Sequence, residues 1–361
     1  MDFAIPPATA ALLERARAFM HERVLPAEPT VLARGIAACP DVVADLRAAA
    51  RAAGLWLPQM PRDAGGLGLS LLDHGMLSEV LGQSPLGHLA CNCQAPDAGN
   101  MEILHRFADA DQRARFLDPL LRGETRSCFA MTEPDTPGSN PTMLRCLARA
   151  DGDDYVIDGR KWFTSGADGA AFTVVMAVTD PDAEPHRRAS MLIVPMATPG
   201  LVHVRNVPIF GHAGAGWDSH AELEFRACRV PATSLLGARQ AGFAIAQERL
   251  GPGRIHHCMR WLGICERALT LTARRAAARE LAPGEPLADK QIVQFWFAEG
   301  RARIDAARLL VLRTAWLIDQ HGFHAARDDI SLIKFHVAEV LADVLDNAIQ
   351  VHGALGMTDD T

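Results

Sequence analysis

Two short stretches gather the residue types best suited to hold a flat molecule with a polar edge. The first, CFAMTEPDTPGSN, runs from Cys128 to Asn140. An apolar, strand-like start meets Pro134, Pro137 and Gly138; proline forbids helix or central strand there, and glycine lets the backbone bend. The result is an irregular loop at a strand end. Its free N–H groups and the hydroxyls of Thr132 and Ser139 suit the edge of a ring system and a phosphate. The second stretch, RKWFTSGAD, runs from Arg160 to Asp168. Trp162 can pack against a flat ring while Thr164 donates or accepts at its edge. Ser, Thr, Pro and Gly also cluster in plain surface turns, and a strand tryptophan also serves in a core. The position of both stretches at the approach to one β-rich unit favours a site.

Other chemistries find little support. The eight cysteines are scattered; only Cys91 and Cys93 are close, a pair better read as buried thiols than as metal ligands. That usage fits a reducing cytoplasm. Among fourteen histidines, His256 and His257 are adjacent and point about 100° apart on a helix, so they share one ion poorly. HExxH, Walker and strand-to-helix GxGxxG patterns are missing, so neither a metal site nor a Rossmann-type dinucleotide site is expected. The net charge of −7 and the lack of a basic stripe argue against nucleic acid. No apolar run reaches spanning length, and the N-terminus has no secretion-signal pattern.

The elements that must position these residues fall into three zones. The 361 residues exceed one small core. From Pro6 to Arg122 the pattern is helical: DVVADLRAAARAAGLW ends on Gly54, and SLLDHGMLSEVLGQS is capped by Ser70 with Gly82 near its end. From Ser127 to Leu236, short β-rich runs such as DYVIDGRKWFTSG, FTVVMAVTD, SMLIVPM and AELEFRACRVP alternate with turn clusters, predicting a small antiparallel barrel or sandwich. From Gln240 onward long amphipathic helices return and should pack as a bundle. Gly251, Pro252 and Gly253 should kink the first of them, which could turn Arg254 toward a cavity.

The chain resembles the flavin-dependent acyl-CoA dehydrogenases over nearly its whole length. CFAMTEPDTPGSN is similar to the family's flavin loop and KWFTSGA to its second flavin strand. FRACRVPATSLLG, PLADKQIVQFWFAE and AIQVHGALGM resemble later signatures in the same order. NCQAPDAGNMEIL and RLGPGRIHHCMRWLGICERAL resemble the branch that holds the larger multidomain mammalian members. The resemblance implies an α+β fold: an N-terminal helical domain (1–125), a middle β-domain (126–237) and a C-terminal four-helix bundle (238–361). It implies FAD between β-domain and bundle, with Phe129, Met131 and Thr132 at the ring, Trp162 flanking it and Thr164 near its N5. It places Ser139 by a phosphate or the pantetheine, and Arg279, Gln291, Gln350 and Gly353 on FAD across a subunit boundary. Arg254, with Ser139, would meet substrate, and Asn92, Gln94 and Asp97 fall in the substrate-pocket segment. Strict counting puts the family's FAD-reaching bundle arginine at Glu280, one residue from Arg279.

The implied activity is α,β-dehydrogenation of an acyl-CoA thioester in fatty-acid metabolism, in the cytoplasm, by a homodimer or homotetramer. A carboxylate removes the α-proton, hydride passes to the flavin, and electrons go on to an electron-transfer flavoprotein. Two departures bear on this. The family's usual base follows the QVHGALGM signature and is expected beyond Thr361, since Asp359 and Asp360 lie too early. The alternative base position, just before Arg254, is Gly253. The same fold also runs oxidase and monooxygenase chemistry, and a chain without its base would be an FAD- or CoA-thioester-binding protein.

Overall fold

The structure is a computed structural model and describes residues 4–358 and residue 360. The N-terminal unit is helical: α1 (Pro7–Phe19), α2 (Leu25–Arg34), α3 (Pro40–Ala52), α4 (Leu71–Leu81), α5 (Pro85–Ala90) and α6 (Asp97–Phe107), then two short pieces, α7 (Ala110–Gln112) and α8 (Asp118–Leu121). Sequence signals set the ends. Pro40 opens α3 where a missing N–H costs nothing, and the chain leaves it through Gly54 at φ +66°. Ser70 caps α4 by accepting from Asp73 N at 3.0 Å, as expected. The neighbouring N–H groups of Leu71 and Leu72 are taken by Asp319, 2.9 and 3.0 Å away on a later helix. The last carbonyls around α8 are collected from outside: Trp56 Nε1 donates to Leu121, Arg51 to Arg122 and Arg47 to Gly123.

The middle of the chain forms one twisted sheet: β1 (Ser127–Ala130), β2 (Leu147–Asp151), β3 (Asp154–Ser165), β4 (Phe172–Val178), β5 (Ala189–Pro195), β6 (Leu201–Asn206), β7 (His220–Pro231) and β8 (Leu235–Leu236). The order is β6-β7-β3-β2-β4-β5-β8, with β1 beside β4. The sheet is largely antiparallel, but β1 and β2 both run parallel to β4. All of β4 is buried, which its unbroken run of Val, Met and Ala reflects. Strand β2 carries little pattern: in LARAD only Ala148 is buried, with Leu147 half-buried on the opposite face, too short an alternation to read. One sheet face packs on α6 and the first turns of the next helix through Met101, Phe172, Met176, Met191 and Ile245. The other encloses Cys128, Tyr155, Ile157, Leu223 and Phe225.

Three long helices follow: α9 (Gly242–Ala278), α10 (Gln291–Ala325) and α11 (Arg327–His352), with a small hairpin of β9 (Glu280–Ala282) and β10 (Glu285–Pro286) after α9. Among the described residues the expected four-helix bundle thus holds three long helices, and α4 packs across α9 and α10. The expected interruption at Gly251–Gly253 does not break α9, which runs helical through Pro252. Proline removes a single helix bond, and packing on α4, α10 and α11 holds the rest. The break falls in α10, at Gly322 with φ 80° and ψ 167°. No helix among the described residues is long and apolar enough to cross a membrane.

Candidate active site

The two stretches singled out in the sequence lie side by side. Trp162 N donates to Thr132 O at 3.0 Å, and Thr132 Oγ1 donates to Trp162 O at 2.7 Å. Lys161 Nζ donates to Met131 O at 2.9 Å. A register shift between Lys161 and Thr164, with Phe163 at φ 48°, buries both of those side chains and leaves Phe163 outward. Trp162 meets Phe163 edge-on, with ring centres 4.9 Å apart. Thr164 is fully buried and its hydroxyl has no hydrogen-bond partner. The hydroxyl is thus free to meet a polar ligand atom, as are the Thr125 and Thr173 hydroxyls elsewhere among the described residues. Ser139 stands exposed on the loop beyond.

Phe129 joins this group to the helices. Its ring faces the guanidinium carbon of Arg249 at 4.1 Å. Arg249 comes from α9, donates to Asn100 Oδ1 at 2.9 Å and to Pro96 O at 3.3 Å, and occupies the space a side chain at Gly99 would fill. Asn100 in turn donates to Ser127 Oγ and Cys128 O. Ser127 donates through both N and Oγ to Asp97 Oδ1. Burial pushes the Asp97 carboxyl up to about 6 against the pull of those Ser127 bonds, and it pushes Arg249 down to about 10. A continuous buried polar chain therefore runs from α6 through β1 to α9. Asp97 Oδ1 and Asn92, the latter donating to Leu120 and Leu121 carbonyls, are engaged within the fold, while Asp97 Oδ2 has no partner among the described residues.

Beside this chain lies a cavity of about 530 Å³ between α4, α6, α9 and the end of α10. Its polar lining includes Gln59, His74, Glu102, Arg106, Glu248 and His256. Sequence reasoning selected none of these. The signal lay in the helical spacing: Arg249, Pro252 and His256 share one face of α9, whereas Arg254 falls on the opposite face. Arg254 Nε donates back to Leu250 O and does not line the cavity. Burial pushes Glu102 up to about 7, opposed by Arg249, and pushes His74 down to about 4, helped by Arg260. The His74 and His256 rings lie 5.0 Å apart, while His257 points elsewhere, stacked on Trp261. All eight cysteines are buried free thiols, and burial pushes Cys93 up to about 12.

The four bundle residues form a separate group. Arg279 ends α9, Gln291 begins α10, and Gln350 and Gly353 end α11; all are exposed. Arg249 and Ala278 stand at distant points of the same helix, roughly 44 Å apart at 1.5 Å per residue. Arg279 therefore stands far along α9 from the Arg249–Phe129 contact. Gly253 sits inside α9 and offers no acid. Asp360 is exposed and hydrogen-bonded to Thr358, and Asp359 and Thr361 lie outside the described residues.

Three family models cover the chain in order: acyl-CoA dehydrogenase N-terminal domain over residues 6–124, middle domain over 128–228 and C-terminal domain over 240–361. The chain belongs to the acyl-CoA dehydrogenase family. It is 45% identical to a probable acyl-CoA dehydrogenase, FadE2, of Mycobacterium tuberculosis, over 100% of this chain and 89% of the relative. It is 39% identical to acyl-CoA dehydrogenase family member 11 of Rattus norvegicus over 97% of this chain, but spans only 46% of that longer protein. A solved structure of a Mycobacterium abscessus protein described as an acyl-CoA dehydrogenase superposes with a TM-score of 0.93 at 39% identity, over 99% of this chain and 91% of that one. Family and fold make this acyl-CoA dehydrogenase relative an oxidoreductase acting on acyl-CoA.

Proposed function

We propose that the protein binds FAD at the 131–132 and 162–164 stretches and uses it to introduce an α,β double bond into an acyl-CoA thioester. The observation that carries this reading is the buried, unpartnered hydroxyl of Thr164 beside the Thr132–Trp162 pair. These residues fit a flavin: a hydroxyl and backbone N–H groups for the ring's heteroatom edge, and an indole for its face. Bound FAD would supply the acceptor for the hydride leaving the β-carbon, and a carboxylate base would take the α-proton. The chain's own residues bind, orient and exclude water. Thr164 supplies a hydrogen bond without local competition, Trp162 limits access, and the apolar cluster around Phe129 and Met131 keeps the surroundings dry.

Arg279, Gln291, Gln350 and Gly353 are proposed to serve the FAD of another copy of this chain. The length of α9 between Arg249 and Arg279 and the exposed apolar side chains of α10 and α11, among them Phe295, Trp316, Leu332 and Phe335, support that assembly. Electron-transfer flavoprotein is the proposed acceptor and the cytoplasm the proposed location. The deciding experiment is an anaerobic titration of the FAD-loaded protein with acyl-CoAs of graded length. Bleaching of the oxidised flavin band by one or more thioesters is expected. A protein that binds FAD and is bleached by none overturns the reaction proposed.

A further inference from the structure

Lys161 has no exposed surface at all. Its ammonium group donates to Met131 O at 2.9 Å and to Glu133 Oε1 at 2.8 Å. Glu133 is also buried and is fully engaged: Oε1 accepts Cys146 N at 2.9 Å, and Oε2 accepts Arg145 N at 2.8 Å and the Thr136 hydroxyl at 3.4 Å. A buried ion pair contributes little net stability compared with apolar packing, because both charges are stripped of water. This pair does something packing would not, since it fixes the direction of one peptide. The Met131 carbonyl and the Thr132 N–H belong to the same planar trans unit and point opposite ways. With the carbonyl drawn inward to Lys161, the Thr132 N–H points away from it and has no hydrogen-bond partner among the described residues.

The next peptide is fixed differently. Thr132 O accepts from Trp162 N, and the Thr132 hydroxyl donates to Trp162 O, so backbone and local side chain suffice there. The 131–132 peptide is the one whose orientation depends on a side chain from another strand.

We propose that Lys161 is a positioning residue for the cofactor, holding the Met131 carbonyl inward so that the Thr132 N–H stands as a fixed donor to the acceptor edge of the bound ring system. The inference rests on the FAD reading above and deepens it. A donor oriented before binding spares the ligand the ordering of the loop, so affinity depends on Lys161 although Lys161 need not touch the ligand.

The test measures FAD affinity of apoprotein by flavin fluorescence, at a temperature where circular dichroism shows each variant folded, together with the shape of the bound flavin's visible band. Lys161→Met is expected to weaken FAD at least tenfold and to alter the band. Because that change leaves Glu133 buried without its counter-charge, a second variant, Lys161→Met with Glu133→Gln, removes both charges and is expected to fold and show the same loss. Glu133→Gln alone keeps the Lys161–Met131 bond and is expected to stay within threefold of wild type. Wild-type affinity in either folded variant lacking Lys161 overturns the inference. So does a loss in Glu133→Gln as large as in Lys161→Met. Wild-type protein that binds no FAD removes the functional reading, and this inference with it.

Discussion

Arg249 on α9 and Phe129 on β1 meet face to ion, 4.1 Å from guanidinium carbon to ring centre. The contact ties the bundle to the strand that leads into the 131–140 loop. Replacing Arg249 with leucine keeps the bulk but leaves Asn100 Oδ1 without its donor, while Pro96 O keeps the Asn100 N–H. The expected loss is about 1–3 kcal/mol in urea unfolding, from a buried acceptor left unpaired. A loss under about 0.5 kcal/mol would mean the network is dispensable.

The cavity carries two opposite pH dependences. Glu102 is raised in the fold to about 7 from 4.5, so the native state holds its proton more tightly than the unfolded chain. Its contribution therefore falls as pH rises from about 4.5 to about 7, by on the order of 3 kcal/mol. His74 is lowered to about 4 from 6.5, so its contribution is lost as pH falls through that window. Glu102→Gln is expected to raise the urea midpoint at pH 8 and leave it unchanged near pH 4. His74→Phe is expected to flatten the decline between pH 6.5 and pH 4. Denaturation curves at five or six pH values check both slopes.

Thr164→Val should have two effects of opposite sign. The hydroxyl is buried and unpaired without a ligand, so its removal is expected to stabilise the apoprotein by about 1 kcal/mol. The rise in melting temperature on adding FAD is expected to shrink, because the ligand loses a partner. Calorimetry with and without FAD separates the two; an unchanged FAD effect rules out Thr164 as a contact.

Two glycines of α9 should respond in opposite directions to alanine. At Gly263 a Cβ would lie 2.1 Å from Glu79 O, where α4 crosses. Gly263→Ala is expected to cost about 2–3 kcal/mol, since a backbone must shift. At Gly253 a Cβ meets nothing within 4 Å, and the residue lies inside the helix. Gly253→Ala is expected to stabilise by about 0.5–1 kcal/mol. Thermal melts of the two apoproteins decide it.

Much of this was legible in the sequence, for reasons that differ by element. Ser70 and Gly54 act through local backbone chemistry, so the ends of α4 and α3 could be read directly. The 128–140 and 160–168 stretches announced themselves because proline, glycine and hydroxyls sit where a strand should continue. The cavity did not. Glu102, His74 and His256 come from three helices, and each looks ordinary on its own; only tertiary packing strips them of water and makes them notable. Pro252 does not end the helix, because neighbours on three sides keep it running although local propensity argues against it. Arg279 and its companions were chosen by motif alone, and nothing in a one-dimensional pattern tells how far apart a long helix will hold them.

The polar chain from Asp97 through Ser127 and Asn100 to Arg249 also limits how the molecule can move. Swinging the N-terminal helices away from the sheet would strand at least four buried donors and acceptors at about 1–3 kcal/mol each. At a total near 6 kcal/mol, an open form would hold on the order of one molecule in ten thousand. Passage of any ligand to the interior would then rely on side-chain rotation and loop breathing within a rigid frame. Calorimetric unfolding should accordingly be one transition, with the helical and β portions melting together.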